Sequence, residues 1–190
     1  HLLEKGPGWA TGDGYIIGVA LATDDWQGYF PVRHDNGSNL DRDLIFRWLR
    51  DQLSTECDKV FHNAMYDVGW LKREGVEIKG EIKDTLIAAP LLDENRFSYS
   101  LNALAKTYIA SSKNERVLRE AAKEWGVNPK SEMWKLPAIY VGPYAEQDAR
   151  ATLDLWRTLS TEILKNDLSS ILDLELSILP SLLQMRWKGI

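Results

Sequence analysis

Residues 15–23, Tyr-Ile-Ile-Gly-Val-Ala-Leu-Ala-Thr, constrain the fold more than any other stretch of the chain. The run is aliphatic, rich in β-branched side chains and free of charge. It reads as a buried strand. Residues 24–28 (Asp-Asp-Trp-Gln-Gly) form a turn, and residues 29–33 read as a return strand that Pro31 pushes toward a sheet edge. The two strands predict an antiparallel hairpin. Ahead of them, residues 1–14 carry Gly6, Gly8, Gly12 and Gly14 and read as loop.

Downstream the pattern changes to strand–helix alternation. Leu44, Ile45, Trp48, Leu49 and Leu53 recur at a helical period across residues 41–53. Residues 59–61 predict a short strand, 63–72 a helix, 76–83 a strand, and 84–92 and 100–109 two helices. Residues 111–140 are the most polar stretch and read as an inserted lobe with a short helix over 116–125, stopped by Gly126. Pro143 suits the first turn of a long helix from Tyr144 to about Lys165, and a final helix covers 168–185. An opening hairpin followed by this alternation predicts a mixed α/β sheet covered by helices.

A length of 190 residues with 44% hydrophobic content supports one domain with a real core, and at most a small appendage. The balance of 23 basic against 28 acidic residues leaves a net charge of −5, which excludes a simple basic nucleic-acid glove. An acidic site that recruits divalent cations can still hold a phosphodiester. One cysteine, Cys57, excludes a disulfide framework and a zinc ribbon and fits a reducing compartment. No stretch approaches the roughly 20 apolar residues of a membrane helix, and no secretory signal is visible. A first residue of His rather than Met reads as a chain processed or cut from something longer.

Three constellations could carry chemistry. In His62-Asn63-Ala-Met-Tyr-Asp67, a strand hands over to a helix, and the spacing puts Asn63 and Asp67 on one helical face at the carboxyl edge of a sheet. The plainer reading has Asn63 capping the helix and Asp67 as a solvated first-turn acid. Tyr144 and Asp148 share a face in the same way. A phenol beside a carboxylate can align a water while the carboxylate holds a metal, or the pair is a partly buried Tyr and an exposed acid. Asp84, at a strand end, reads as an N-cap. Trp48, Trp70 and Trp156 read as packing residues. Lys113, Arg116, Arg119, Lys123, Lys130 and Lys135 read as a solvated face of the polar lobe, and His34 and His62 as structural hydrogen-bonding groups.

Taken together, the order and spacing resemble the 3′–5′ exonuclease (proofreading) domain of family A DNA polymerases, particularly the bacteriophage type. These domains belong to the DEDD exonuclease superfamily on an RNase H-like fold. Residues 62–67 look like its Asn-x-x-x-Asp motif and residues 144–148 like its Tyr-x-x-x-Asp motif. The position five residues before Asp148 is Pro143 and not His, which puts the chain in the DEDDy branch. Asp84-Thr85-Leu86 and residues 100–105 look like that family's connecting segments.

The resemblance implies an α/β, RNase H-like mixed sheet flanked by helices. Residues 1–165 would be the exonuclease domain, and residues 166–190 the start of a polymerase domain or the helix connecting to it. It implies hydrolysis of the 3′-terminal phosphodiester of single-stranded DNA, with two divalent cations, Mg2+ or Mn2+, clamping the attacking and leaving oxygens. Asp67, Tyr144 and Asp148 would be catalytic, Asp67 and Asp148 would hold metal, and Asn63 would position substrate. The partners would be a single-stranded DNA 3′ end and the polymerase domain of the same chain, in the cytoplasm of a host cell, with no membrane. One departure stands out. The family's first motif is Asp-x-Glu on the first strand, and no such spacing precedes Asp41; the acids there are Glu4, Asp13, Asp24, Asp25 and Asp35. The first strand is therefore expected to be missing, with the motif just before His1 and the 190 residues inactive alone. A stand-alone RNase D-like ribonuclease and a catalytically dead RNase H-like nucleic-acid-binding module are the rival readings.

Overall fold

A computed structural model describes residues 1–111 and 114–190. Lys113 lies outside the described residues. The apolar run is the centre of a three-stranded sheet. Strand β2 (Asp13–Ala22) buries Ile16, Ile17, Val19 and Ala20, and pairs antiparallel with β3 (Gln27–Pro31), Ala20 facing Tyr29. On its other side lies β1 (Leu2–Gly8), also antiparallel, with Leu2 opposite Val19 and Glu4 opposite Ile16.

Residues 2–8 are thus strand and not loop. The glycines mark close approach rather than a turn. A Cβ on Gly14, whose φ is +97°, would stand 2.0 Å from the Lys5 carbonyl oxygen. Trp9, in a short 3-10 turn (Trp9–Thr11), plugs the end of the sheet. It is buried, and its Nε1 donates to the Met65 carbonyl oxygen at 3.1 Å.

A second, parallel pair joins β4 (Lys59–Phe61) to β5 (Ile82–Asp84). The strand expected from residue 76 begins only at Ile82. Val76 N–H is taken by the Leu71 carbonyl and Lys79 N–H by the Leu53 carbonyl, and Gly80 turns at φ +76°. Helix α1 (Arg42–Leu53) starts where Asp41 accepts the Leu44 N–H at 2.9 Å. It buries Ile45, Phe46, Leu49 and Leu53. Helices α2 (Ala64–Arg73) and α3 (Thr85–Leu92) follow the two short strands. Helix α4 (Leu101–Tyr108) is capped by Ser100, and α5 (Arg116–Trp125) stops at Gly126 in the left-handed region.

Helix α6 (Ala138–Lys165) begins six residues before Tyr144 and runs through Pro143. Proline costs a helix one hydrogen bond and some strain. Val141, wholly buried beside Leu136 and Ala145, keeps the upstream turns helical nonetheless. Helix α7 (Ser169–Lys188) ends at Gly189. One core cluster lies between β1, β2, α1, α2 and α7, with Leu179 and Leu183 of α7 reaching into it. A second packs β2 against α5 and α6, and a third joins α3, α4, α6 and α7. Trp70 is fully buried and Trp48 packs on Phe30 at 4.9 Å between ring centroids. His34 bridges the Leu136 carbonyl and the Tyr29 hydroxyl, and His62 Nδ1 lies 2.8 Å from the Thr85 hydroxyl.

Candidate active site

The turn between β4 and α2 is pinned from the neighbouring strand. Asp84, buried at the end of β5, accepts the N–H groups of Asn63 at 3.0 Å and Ala64 at 2.7 Å as well as that of Leu86 at 2.8 Å. The last of these is the predicted N-cap. The other two hold Asn63 in the left-handed conformation, φ 73° and ψ 60°, which Asn tolerates better than most residues. Asn63 makes no side-chain cap bond. Burial pushes the Asp84 carboxyl above its usual range, and its three N–H donors oppose that rise.

The pinned turn aims the first turns of α2 into a cavity of about 520 Å³, whose lining includes His1, Leu3, Glu4, Asn63, Asp67 and Tyr144. Asp67 is not a solvated acid: it is 4% exposed, and its Oδ1 accepts the Leu2 N–H at 2.9 Å. Burial pushes its carboxyl up, with the positive charge of the His1 amino group and then the Leu2 N–H working against that rise. From the other side α6 presents Tyr144 and Asp148. Asp148 is 2% exposed, and its Oδ2 lies 3.5 Å from His1 Nε2. The Tyr144 hydroxyl is hydrogen-bonded to the Asp148 carboxylate. Burial and that carboxylate both push the phenol up.

The structure therefore brings Asp67, Tyr144 and Asp148 together at the start of β1, with Asn63 on the same cavity wall. Sequence reasoning missed Glu4. Its carboxyl is raised to about 7, chiefly by burial, while a hydrogen bond from Tyr66 opposes the rise and Asp67 adds to it. No spacing signal marks Glu4, because its place depends on residues 1–14 being strand.

The segment that passes the two aspartates is His1 and the first residues of β1. His1 pairs with Ala20, its nitrogen donating to the Ala20 oxygen at 3.0 Å and its oxygen accepting the Ala20 N–H at 2.8 Å. His1, Leu3 and Glu4 stand at the crossing. Among the described residues no three His, Cys, Asp or Glu side chains are arranged to hold a metal ion. Asp67 and Asp148, two of the implied four carboxylates, are buried here and are the oxygen donors this chain offers to a divalent cation; His1 faces Asp148.

A family model described as 3′-5′ exonuclease matches residues 10–164. The DNA-directed DNA polymerase of Pseudomonas phage M6 is 38% identical over 194 residues, covering 100% of this chain and 29% of that polymerase. DNA polymerase DpoZ of Salmonella phage PMBT28 is 30% identical over 182 residues, covering 92% of this chain and 28% of its own length. DNA polymerase I of Pseudomonas aeruginosa is 25% identical over 185 residues, covering 92% and 20%. The chain thus spans less than a third of these relatives. Among solved structures, Brucella melitensis NrnC bound to pGG superposes with a TM-score of 0.72 at 13% identity, covering 100% of this chain and 83% of that one. A structure described as the apo form of a nuclease gives 0.72 at 16% identity, covering 99% and 84%. The fold is that of the RNase H-like exonucleases, and the chain belongs to the 3′–5′ exonuclease domain family of family A DNA polymerases.

Proposed function

We propose that the chain is the module of a phage-type DNA polymerase that receives the 3′ end of single-stranded DNA for proofreading during replication in the host cytoplasm. The observation that carries this reading is that Asp67 and Tyr144 line one cavity, with the buried Asp148 carboxylate hydrogen-bonded to Tyr144 and facing His1. Asn63 sits at its wall to meet substrate. Residues 166–190 serve as the helix toward the polymerase domain. Exonuclease domains of this family use divalent metals, and Mg2+ or Mn2+ suits carboxylate ligands. Asp67 and Asp148 are the residues of this chain that suit such ligation. Because no Asp-x-Glu spacing precedes Asp41 in these residues, the chain by itself binds a 3′ end without cleaving it. Tyr144, whose phenol is held protonated, acts as a hydrogen-bonding group and not as a base.

The polymerase relatives favour this reading over a stand-alone ribonuclease. The NrnC likeness is a likeness of fold alone. The test is release of labelled mononucleotide from 3′-end-labelled single-stranded DNA with Mg2+ or Mn2+. The chain as it stands should release none. The double variant His1→Asp with Leu3→Glu, which places Asp-x-Glu beside Asp148, should gain metal-dependent release that Asp148→Ala removes. Release by the unmodified chain that survives both Asp67→Ala and Asp148→Ala would overturn the assignment.

A further inference from the structure

The loop between α3 and α4, residues 93–100, supplies part of the wall of the candidate site. Tyr99 and Ser100 line the same cavity as Asn63, Asp67 and Tyr144. Two residues before Tyr99 stands Phe97, which is wholly exposed. No other large apolar side chain among the described residues is as bare; the next, Ile190, is the last residue. We propose that Phe97 is a stacking platform for one unpaired base of the strand whose 3′ end enters the cavity, which rests on the reading of the site given above.

Three observations carry this. The first is place. Two residues of backbone span at most about 7 Å, so Phe97 stands just outside the cavity lining. That reach matches one or two nucleotides, about 3.4 Å each when stacked. The base concerned is therefore close behind the 3′-terminal one.

The second is rigidity. The Tyr99 hydroxyl donates to the Asp93 carbonyl oxygen at 2.8 Å, and the Asn95 N–H to the Asp93 carboxylate at 3.1 Å. Arg96 donates to the Thr107 hydroxyl at 2.7 Å, with its guanidinium over the Tyr108 ring and 3.7 Å from Asp93. The Ser100 N–H donates to the Ser98 hydroxyl oxygen at 3.2 Å, and Ser100 itself caps α4. The exposure of Phe97 thus belongs to a braced loop and not to a slack one. Singly exposed apolar residues are ordinary on a protein surface; complete exposure on a braced loop beside the site is what sets this ring apart.

The third is chemistry. The loop neighbours of Phe97 are Glu94, Asn95, Arg96 and Ser98, all polar. A single ring among them offers one flat face and not the broad apolar patch of a protein interface. Every base has a π-face, so stacking on an aromatic ring tolerates any sequence, as a site that receives any 3′ end requires. A base inside a duplex has both faces covered by its neighbours. Only an unpaired one can turn to the ring, so Phe97 also favours single strands.

The test is equilibrium binding of a 5′-fluorescein oligothymidylate of about ten nucleotides in EDTA, followed by anisotropy. Phe97→Ala should bind about 10-fold more weakly than the parent, with unchanged Tm and an unchanged slope of log affinity against log salt, since no cation is lost. Phe97→Trp should bind at least as tightly as the parent. Oligonucleotides lacking one base, at successive positions from the 3′ end, locate the contact. At one of the first few positions, base removal should weaken the parent by the same factor and leave Phe97→Ala unaffected. Parent-strength binding by Phe97→Ala overturns the inference and leaves the reading of the site standing. A loss on Phe97→Ala that is the same on intact strands and on every abasic strand overturns it too, because the ring would then act through the loop and not on a base. A parent chain that binds no single strand overturns the reading of the site and this inference with it.

Discussion

The Asp84 carboxylate accepts the Ala64 N–H at 2.7 Å across the two short strands, and through that bond a residue of β5 sets the direction of α2. Asp84→Ala leaves the Asn63, Ala64 and Leu86 N–H groups without their acceptor. Bonds to a charged acceptor are worth about 1.5–3 kcal/mol each, with strong non-additivity. The expected loss in urea unfolding is about 3 kcal/mol, with Asp84→Asn losing less because one acceptor oxygen survives. An Asp84→Ala chain as stable as the parent would show that the turn holds itself.

Gly69 is where α2 meets the Trp9 ring, which packs in turn on Trp187 at 5.7 Å between centroids. A Cβ at Gly69 would stand 1.9 Å from the indole. Gly69→Ala gains helix propensity, worth about 1 kcal/mol, yet it must move a buried ring that is also bonded to Met65. Overpacking of this kind costs about 1–3 kcal/mol. The net expectation is a destabilised chain with altered tryptophan fluorescence. A more stable Gly69→Ala chain would mean that Trp9 relocates freely.

Much of this architecture is legible in the sequence, where the determinants are local. The apolar run of β2, the Asp41 and Ser100 caps and the Gly126 stop all rest on signals within a turn or two. The placement of Asp67, Tyr144 and Asp148 on helical faces is equally local, because four-residue spacing puts side chains on one face. Residues 1–14 were illegible for the opposite reason. Gly6 and Gly14 look like punctuation, yet they are where two strand backbones come too close for side chains. Once that strand was misread, Glu4 and the His1–Asp148 contact were out of reach, since both depend on β1 lying against α2 and α6. Pro143 misled in a similar way: a buried neighbour, Val141, carries the helix past the signal that ought to start it.

Glu4 makes the stability of the chain depend on pH in an unusual sense. Unfolded, its carboxyl titrates near 4.5; folded, burial raises it to about 7. The folded chain holds this proton more tightly, so the contribution is complete below about 4.5 and is lost as pH rises to about 7. After allowance for partial solvent access, the loss is about 2 kcal/mol. Glu4→Gln should flatten that part of the profile and match or exceed the parent at pH 8 in urea unfolding. A Glu4→Gln chain whose stability falls between pH 5 and pH 8 as steeply as the parent's would show that Glu4 is ionised and solvated in the fold.

Asp67 extends the same reasoning to the candidate site. Its carboxyl is buried and raised, and its Oδ1 accepts the Leu2 N–H. Asn at this position keeps an acceptor for Leu2 and removes the cost of a buried charge, whereas Ala leaves the Leu2 N–H orphaned. Asp67→Asn should therefore stabilise the chain by about 1–2 kcal/mol at pH 7, and Asp67→Ala should destabilise it by about the same amount. A carboxylate that lowers stability where it stands is what a site kept for chemistry looks like. In the double variant that carries Asp-x-Glu, Asp67→Asn should combine higher Tm with loss of metal-dependent nucleotide release. If Asp67→Asn instead lowered Tm and left release intact, Asp67 would be a structural anchor for β1 and would have no place in the reaction.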